Sequence, residues 1–472
     1  MVNEMAKLYV DEYNSGTFRR IIECYSGENL YEVLTRNDIP VNGAVCNGAG
    51  VCRGCQVYIV EEGMECLACH YKIQSEELHI VFEGKLPEQS IILAETGKNR
   101  TVTKSQGKSL GIAFDIGTTT IASALIDLDT REICSEHGCL NRQAHFGADV
   151  MSRIQYASVA DETDSHLQTM HEILRKDMEG LMQTYVAEGY SKERIKRVVF
   201  SGNTTMLHFL LNQPVNGMKA YPFTPEFLDG KYFESEGMDI IILPGKSAFV
   251  GADVVAGIRH LELGTGEDYQ MLIDLGTNGE LWLLNQEQGV CTSTSCGPAF
   301  ANSVTKGSAQ GTSLLQALAK AYSNGSVDSN GLLQGEYFEK GISCGEIIIT
   351  QESVRQIQLA KAAIRTGIEL SAYELRLPLE KISQVYLAGG FGFFLDLDSA
   401  YTLGLLPEEF RGKVQIVGNS SLKGAIRALT DTKSMLTLPQ QLANSRVLDL
   451  SMSKNFQEFF LHRIPFPELK SF

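Results

Sequence analysis

Five cysteines, Cys46, Cys52, Cys55, Cys66 and Cys69, fall within 24 residues of a chain that holds eleven. Three of them stand in the string Cys46-NGAGV-Cys52-RG-Cys55, and two in Cys66-LA-Cys69. Plant-type [2Fe–2S] loops space their thiolates C-x4-C-x2-C, with a distant fourth. Here the first gap is five residues. Three thiolates that converge on one edge of a cluster need tight turns. Gly48, Gly50 and Gly54 permit positive φ and let backbone N–H groups approach the sulfurs. The fourth ligand arrives from a separate segment, and spacing alone does not choose between Cys66 and Cys69. A four-cysteine zinc site is the competing reading. The extra Cys46 with its Gly-rich loop favours iron and sulfur, since a zinc knuckle has no need of it. The other six cysteines are scattered and read as small buried hydrophobes.

A second set of residues repeats. Phe114-Asp-Ile-Gly-Thr-Thr-Thr120 and Ile273-Asp-Leu-Gly-Thr-Asn-Gly279 share a strand, an Asp, an apolar residue, Gly and Thr. The copies lie about 160 residues apart, too far for a solenoid repeat. Two related α/β subdomains, each offering one hairpin, fit better. Such a hairpin turns backbone amides and hydroxyls outward through Gly117, Thr118, Thr119 and Thr120, or through Gly276, Thr277 and Asn278. Those donors suit a phosphate chain. Asp115 and Asp274, at the strand ends, can hold Mg²⁺ through water or orient an attacking water. A third junction, Leu387-Ala-Gly-Gly-Phe-Gly392, again runs a strand into glycines. Gly389, Gly390 and Gly392 let backbone lie flat against an adenine or ribose. The expected ligand is ATP with Mg²⁺. No G-x4-G-K-[ST] string occurs, which excludes a P-loop ATPase. No strand-borne G-x-G-x-x-G with an acid downstream points to a Rossmann NAD site.

The elements that must position these residues follow from hydrophobic periodicity. Residues 17–24, 56–61 and 78–82 read as strands and 29–36 as a short amphipathic helix, a small α+β module over 1–85. Residues 95–108 are polar and nearly free of apolar side chains, so 86–108 reads as a linker. Beyond it, 110–114, 121–126, 197–200, 271–274, 281–284 and 385–388 read as strands, and 166–186 and 354–368 as helices. Strands alternating with helices imply an α/β fold. The expected division is 109–265 for one subdomain and 266–472 for the other. His208, in Met-Leu-His-Phe-Leu-Leu, reads as an interior residue with satisfied nitrogens, and Trp282 as a packing residue on a strand. His145, in a polar loop near Asp149, could approach the nucleotide.

The chain has 472 residues, 43% hydrophobic and 21% charged, and a formal net charge of −16. That balance argues against nucleic acid and anionic membranes as partners. No secretory signal and no apolar run of membrane-spanning length is found, so the expected location is cytoplasmic.

The three nucleotide loops look like the phosphate and adenosine motifs of the actin/Hsp70/sugar-kinase superfamily. The full combination resembles the reductive activators of corrinoid proteins, ATP-dependent iron–sulfur proteins of cobalamin-dependent methyltransferase systems. The likeness runs through the cysteine loop, residues 67–73, 111–120, 141–154, 201–211, 249–258, 272–281, 295–300, 358–364, 387–392 and 417–425. It implies a [2Fe–2S] ferredoxin-like (β-grasp) domain followed by a two-subdomain α/β ATPase. It also implies reduction of inactive Co(II) to Co(I) on a corrinoid protein, with electrons from a low-potential donor. The family's fourth cluster cysteine stands in a Leu-Ala-Cys string, which favours Cys69. Asp115, Thr118, Thr119, Asp274, Thr277, Asn278, Gly389 and Gly390 carry over as nucleotide contacts. Two departures stand out: the segment from Cys55 to Cys69, like the whole chain, is short for the family, and Ser-Cys-Gly-Pro-Ala-Phe300 replaces the usual Ala-Gly-Pro-Ala-Phe. Rival expectations are an activator of another low-potential enzyme, such as a radical dehydratase, a small-molecule kinase, and a non-catalytic redox-responsive binding module.

Overall fold

The structure is a computed structural model that describes residues 5–12, 19–37, 39, 55–59, 62, 64–75, 77–82, 109–147, 149–159, 166–295, 311–344 and 347–468. Two compact units emerge: residues 1–89 with 142–159, and residues 90–141 with 160–472. Residues 142–159, which the sequence reading assigns to 109–265, group with the first unit.

The first unit is built on a five-stranded sheet. Its strands are β1 (Met5–Glu12), β2 (Arg19–Tyr25), β3 (Gln56–Ile59), β4 (Met64–Leu67) and β5 (Glu77–Phe82), in the order β2-β1-β5-β3-β4. β1 runs parallel to β5, and the other neighbours are antiparallel. Ala6, Leu8 and Val10 alternate inward along β1, and Leu8 lies opposite Ile22 on β2. Against this face packs the helix Leu30–Arg36, which buries Leu30, Val33 and Leu34 in the same core. Asn29 starts the helix: its side chain accepts from the N–H groups of Tyr31 and Glu32. The sequence reading locates β2, the helix, β3 and β5. It passes over β1 and the short β4.

The second unit holds two six-stranded sheets. The first contains β6 (Leu110–Ile116), β7 (Thr120–Asp127), β8 (Ile133–Leu140), β9 (Ile195–Gly202), β10 (Lys231–Ser235) and β11 (Met238–Ile242), ordered β10-β11-β9-β6-β7-β8. The second contains β12 (Tyr269–Leu275), β13 (Asn278–Leu284) and β14 (Gly289–Ser295). After the small hairpin of β15 (Ile342–Cys344) and β16 (Ile347–Ile349), it is completed by β17 (Ile382–Ala388), β18 (Val414–Gly418) and β19 (Arg446–Val447), giving β18-β17-β12-β13-β14-β19.

The sequence echo is therefore a structural one. In each sheet an antiparallel hairpin, β6–β7 or β12–β13, continues into a third antiparallel strand, β8 or β14. On its other side each hairpin meets a parallel strand, β9 or β17.

Helices cover the sheets as the apolar periodicity requires. His166–Ala187 buries Met170, Leu174, Leu181 and Tyr185. Gln351–Glu374 buries Val354, Ile357, Ile364 and Ile368, the four positions that share a helical face in the sequence. Thr350 and Ser353 close a capping box that starts this helix before the first of those residues.

Two helices join the sheets. Ala252–Leu261 precedes β12, and Ser420–Thr430 follows β18 and returns to pack on β6 and β9 of the first sheet. The two helices cross at Gly424, where an added Cβ would lie 2.2 Å from the carbonyl oxygen of Ala256. Only glycine allows the backbones to approach so closely.

Candidate nucleotide and thiolate sites

The two hairpins close as the sequence requires. Gly117 N–H donates to the Thr120 carbonyl and Gly276 N–H to the Asn278 carbonyl, each at 2.9 Å. Buried Asn141 pins the first turn, donating through Nδ2 to the Gly117 carbonyl at 2.9 Å. Asn203 Nδ2 donates to Thr118 Oγ1 at 3.1 Å. The tips of the hairpins meet: Thr119 Oγ1 and Thr277 Oγ1 are 2.9 Å apart. The fold thus brings Thr119 of one sheet and Thr277 of the other into direct contact.

Behind the tips four carboxylates act on one another: Asp115, Asp253, Asp274 and Glu280. Asp115 and Asp274 are the penultimate residues of β6 and β12. Glu280 is the register partner of Asp274 across the β12–β13 hairpin, so both project from one face. Asp253 lies in the first turn of Ala252–Leu261.

All four are half-buried. Burial pushes the Asp274 carboxyl up to about 8, with the charges of Asp253 and Asp115 adding to it. Asp253 rises through burial and then Asp115, and Glu280 through burial, Asp253 and Asp274. Asp115 also rises through burial, but hydrogen bonds from Ser421 and Asn419 oppose the rise. Among the described residues no cation lowers any of the four. Such an uncompensated acidic cluster fits a divalent cation and repels bare polyphosphate. Among the described residues no three His, Cys, Asp or Glu stand at metal-ligand spacing.

Gly389 has a left-handed φ of +82°, and a Cβ there would lie 2.3 Å from Asp274 Oδ1 and 2.5 Å from the Leu275 carbonyl oxygen. This glycine lets the β17 junction rest against the second hairpin. Gly390 has open space where a Cβ would stand, and Gly392 has only ordinary contacts.

In the first unit, Cys55 precedes β3 and Cys69 sits in a 3-10 turn, Ala68–His70. Their Sγ atoms are 3.1 Å apart. That exceeds a disulfide bond of about 2.05 Å, and the two thiols are in hydrogen-bonding contact. Ala68 N–H donates to the Cys55 carbonyl at 2.8 Å, and Asn29 Nδ2 donates to the Cys69 carbonyl at 2.8 Å. The helix cap thereby also fixes the turn that carries Cys69. Cys66 lies opposite Val57 on the sheet, half-buried, and burial chiefly pushes its thiol up to about 11, with Glu62 and Cys55 contributing. Cys46 and Cys52 lie outside the described residues.

Buried His208 donates from Nδ1 to the Thr204 carbonyl at 2.7 Å and accepts at Nε2 from Glu226 N–H at 3.1 Å. Both nitrogens are satisfied in the neutral ring, and burial favours that state. Trp282 is buried and donates to Ser445 Oγ at 3.0 Å. Both match their interior readings. The His145 side chain lies outside the described residues.

Asp253, Glu280, Asn203, Asn419 and Ser421 belong to the site but carry no local signature of chemistry. Two clues were usable: each lies in one of the strings that carry the family resemblance, 201–211, 249–258, 272–281 or 417–425, and each follows a strand or lies near the start of an element.

Residues 110–265 match the family model described as the RACo middle region. Residues 268–312 and 303–472 match the one described as the C-terminal domain of RACo, the ASKHA domain. The chain belongs to the RACo family. Among curated RACo relatives, the corrinoid activation enzyme RamQ of Eubacterium limosum is 30% identical over 385 residues, covering 67% of this chain and 63% of that one. The chain thus spans less than two thirds of RamQ's length. The [Co(II) methylated amine-specific corrinoid protein] reductase of Methanosarcina barkeri is 22% identical over 426 residues, covering 74% of this chain and 76% of that one. A solved structure described as a reductive activator for corrinoid, iron-sulfur protein superposes with a TM-score of 0.69 at 24% identity, covering 98% of each chain. At that identity the likeness establishes the RACo fold. Among the described residues, no helix is long and apolar enough to cross a membrane.

Proposed function

We propose that this RACo-family chain is an ATP-dependent reductase that returns the cobalt of a corrinoid protein from Co(II) to Co(I). The observation that carries the reading is the meeting of two Asp-x-Gly-Thr hairpins at Thr119 and Thr277 over a cluster of four carboxylates. The names of the curated relatives support the corrinoid substrate.

In this reading Thr118, Thr119, Thr120, Thr277 and Asn278 donate to the phosphates, while Gly117 and Gly276, whose N–H groups close the two hairpins, shape the turns that carry these donors. Asp115 and Asp274 hold hydrated Mg²⁺ or orient the attacking water, and Asp253 and Glu280 add charge around the same cation. Gly389, Gly390 and Gly392 receive the nucleoside. Mg²⁺ offsets the repulsion between four carboxylates and a triphosphate.

Cys46, Cys52, Cys55 and Cys69 are the thiolates we assign to a [2Fe–2S] cluster in a ferredoxin-like, β-grasp first unit. Such a cluster supplies a one-electron carrier near about −400 mV. The Asn29 amide and the Ala68 N–H hold the turn that presents Cys69. Each 59 mV of deficit in a one-electron couple costs about tenfold in equilibrium constant. ATP can offset that deficit only through nucleotide-dependent affinity for the partner or for one ligation state of its cobalt. The cleft between the two hairpins is where this chain senses nucleotide. The electron comes from a low-potential cellular donor, and the work is done in the cytoplasm.

The test is Asp274→Ala in the full chain. ATP turnover should vanish, while iron content and visible absorption stay as in the parent protein. Undiminished activation of a Co(II) corrinoid protein by this variant would refute the coupling.

A further inference from the structure

Asp115 lies on the first sheet, yet its carboxylate is held by residues that follow the second. Asn419 Nδ2 donates to Asp115 Oδ2 at 2.9 Å, and Ser421 Oγ donates to Asp115 Oδ1 at 2.6 Å. Asn419 also caps the helix Ser420–Thr430, its Oδ1 accepting from Leu422 N–H at 2.8 Å. With one end of its amide committed to the helix, the other is aimed at the carboxylate. Ser421 is buried, and its oxygen lies 2.9 Å from that of buried Ser201. Ser201 is the register partner of Asp115 on β9. Since Ser421 spends its one proton on Asp115, the Ser201 hydroxyl donates to Ser421. The chain of donors runs Ser201 to Ser421 to Asp115.

We infer that Asn419 and Ser421 are positioning residues for Asp115, fixing the plane of its carboxylate and tying that orientation to the second sheet. One donor on each oxygen stops rotation of the group. About two of its four lone-pair sites stay available for a hydrated cation or an attacking water. Because β18 leads through Gly418 directly into the capped helix, Asp115 is set only while both sheets hold their places around the cleft. The inference rests on the reading of Asp115 as an Mg²⁺- or water-handling group.

The test uses the full chain and three variants. Ser421→Ala removes one donor. Asn419→Ser keeps a helix-capping residue and withdraws the amide. Ser421→Thr keeps the hydroxyl. Steady-state ATPase rates are measured across Mg²⁺ concentration, with thermal midpoints alongside. Losing a hydrogen bond to a charged group should lower kcat about tenfold in each of the first two variants. Half-saturating Mg²⁺ should rise, KM for ATP should hold, and Ser421→Thr should restore kcat. Unchanged kcat and Mg²⁺ dependence in Ser421→Ala would overturn the inference. So would equal losses in Ser421→Ala and Ser421→Thr with lowered midpoints, which would mark a packing effect. Binding of Mn²⁺ in the presence of ADP, followed by paramagnetic resonance, reads the clamp without turnover. If the parent chain hydrolyses no ATP but Ser421→Ala weakens Mn²⁺ binding, the ATPase reading fails and the clamp stands. If Mn²⁺ binding is the same in both, the clamp fails.

Discussion

Thr119 and Thr277 are 158 positions apart in the chain, and their hydroxyl oxygens are 2.9 Å apart in the fold. Each sits at the tip of a hairpin that carries an aspartate close to its turn, Asp115 or Asp274. A duplicated architecture has been folded so that its two equivalent turns face each other.

Thr119→Val and Thr277→Val each remove a hydroxyl while keeping the branched shape. Each should raise KM for Mg-ATP by about tenfold, the worth of a hydrogen bond to a charged phosphate. Residues in contact couple, so the double variant should lose less than the two single losses combined. Steady-state kinetics on the four proteins decides this. Strict additivity would mean that the two hydroxyls act independently.

Gly389→Ala and Gly390→Ala should behave differently. The first forces a side chain into a left-handed residue beside Asp274 Oδ1, at 2.3 Å. It should cost about 2 kcal/mol or more, read as a lowered thermal midpoint of the second unit. Gly390→Ala meets no atom within 4 Å, so stability should hold. Weakened ATP binding in that stable variant would mark Gly390 as part of the nucleoside's seat. Unaltered binding would remove it from the site.

Stability of the magnesium-free protein should fall as pH rises. The folded Asp274 carboxyl titrates at about 8 against an ordinary value of 3.8, chiefly because it is buried. Between those values the folded state holds a proton that the unfolded chain has released. Stability therefore declines with pH across that window. Thermal midpoints from pH 5 to 8 should slope downward without Mg²⁺. They should become shallower in Asp274→Asn, where the raised carboxyls of Asp253 and Glu280 remain, and flatten on adding Mg-ATP, which lets the carboxylates ionise. A parallel slope in the variant would contradict the assignment.

Cys69→Ser should lose bound iron and visible absorption, because its sulfur lies 3.1 Å from that of Cys55. Cys66→Ser should retain both, since Cys66 occupies a strand position opposite Val57. Iron analysis of the two anaerobically prepared variants decides between the cysteines, and the reverse result would make Cys66 the ligand.

What the sequence revealed depended on whether chemistry was written locally. The Asp-Ile-Gly-Thr and Asp-Leu-Gly-Thr strings repeat and sit at strand ends, so Asp115, Asp274 and the two turns could be read as a pair. Glu280 stands just past the second string, where the first is followed by Ile121, so the repeat gives no hint of it. It becomes visible only as the register partner of Asp274. Asp253 looks like an acidic residue in the first turn of an ordinary helix. Asn419 and Ser421 look like a helix cap and its neighbour. Their second task depends on a fold that brings positions 304 and 306 residues apart in the chain together at Asp115. The strand β8 escaped because Ile133–Leu140 carries Ser, Glu, His and Gly among few apolar residues, with most positions half-buried. Helices with a clear apolar face, such as Gln351–Glu374, were legible in type and missed only at their ends, where the cap decides.

The most direct measurement mixes the reduced protein anaerobically with a Co(II) corrinoid protein of a methyltransferase system and follows the cobalt absorption with and without Mg-ATP. The account predicts that Co(I) accumulates and can be methylated only when Mg-ATP is hydrolysed. Equal Co(I) formation without nucleotide, or none with it, would contradict the account.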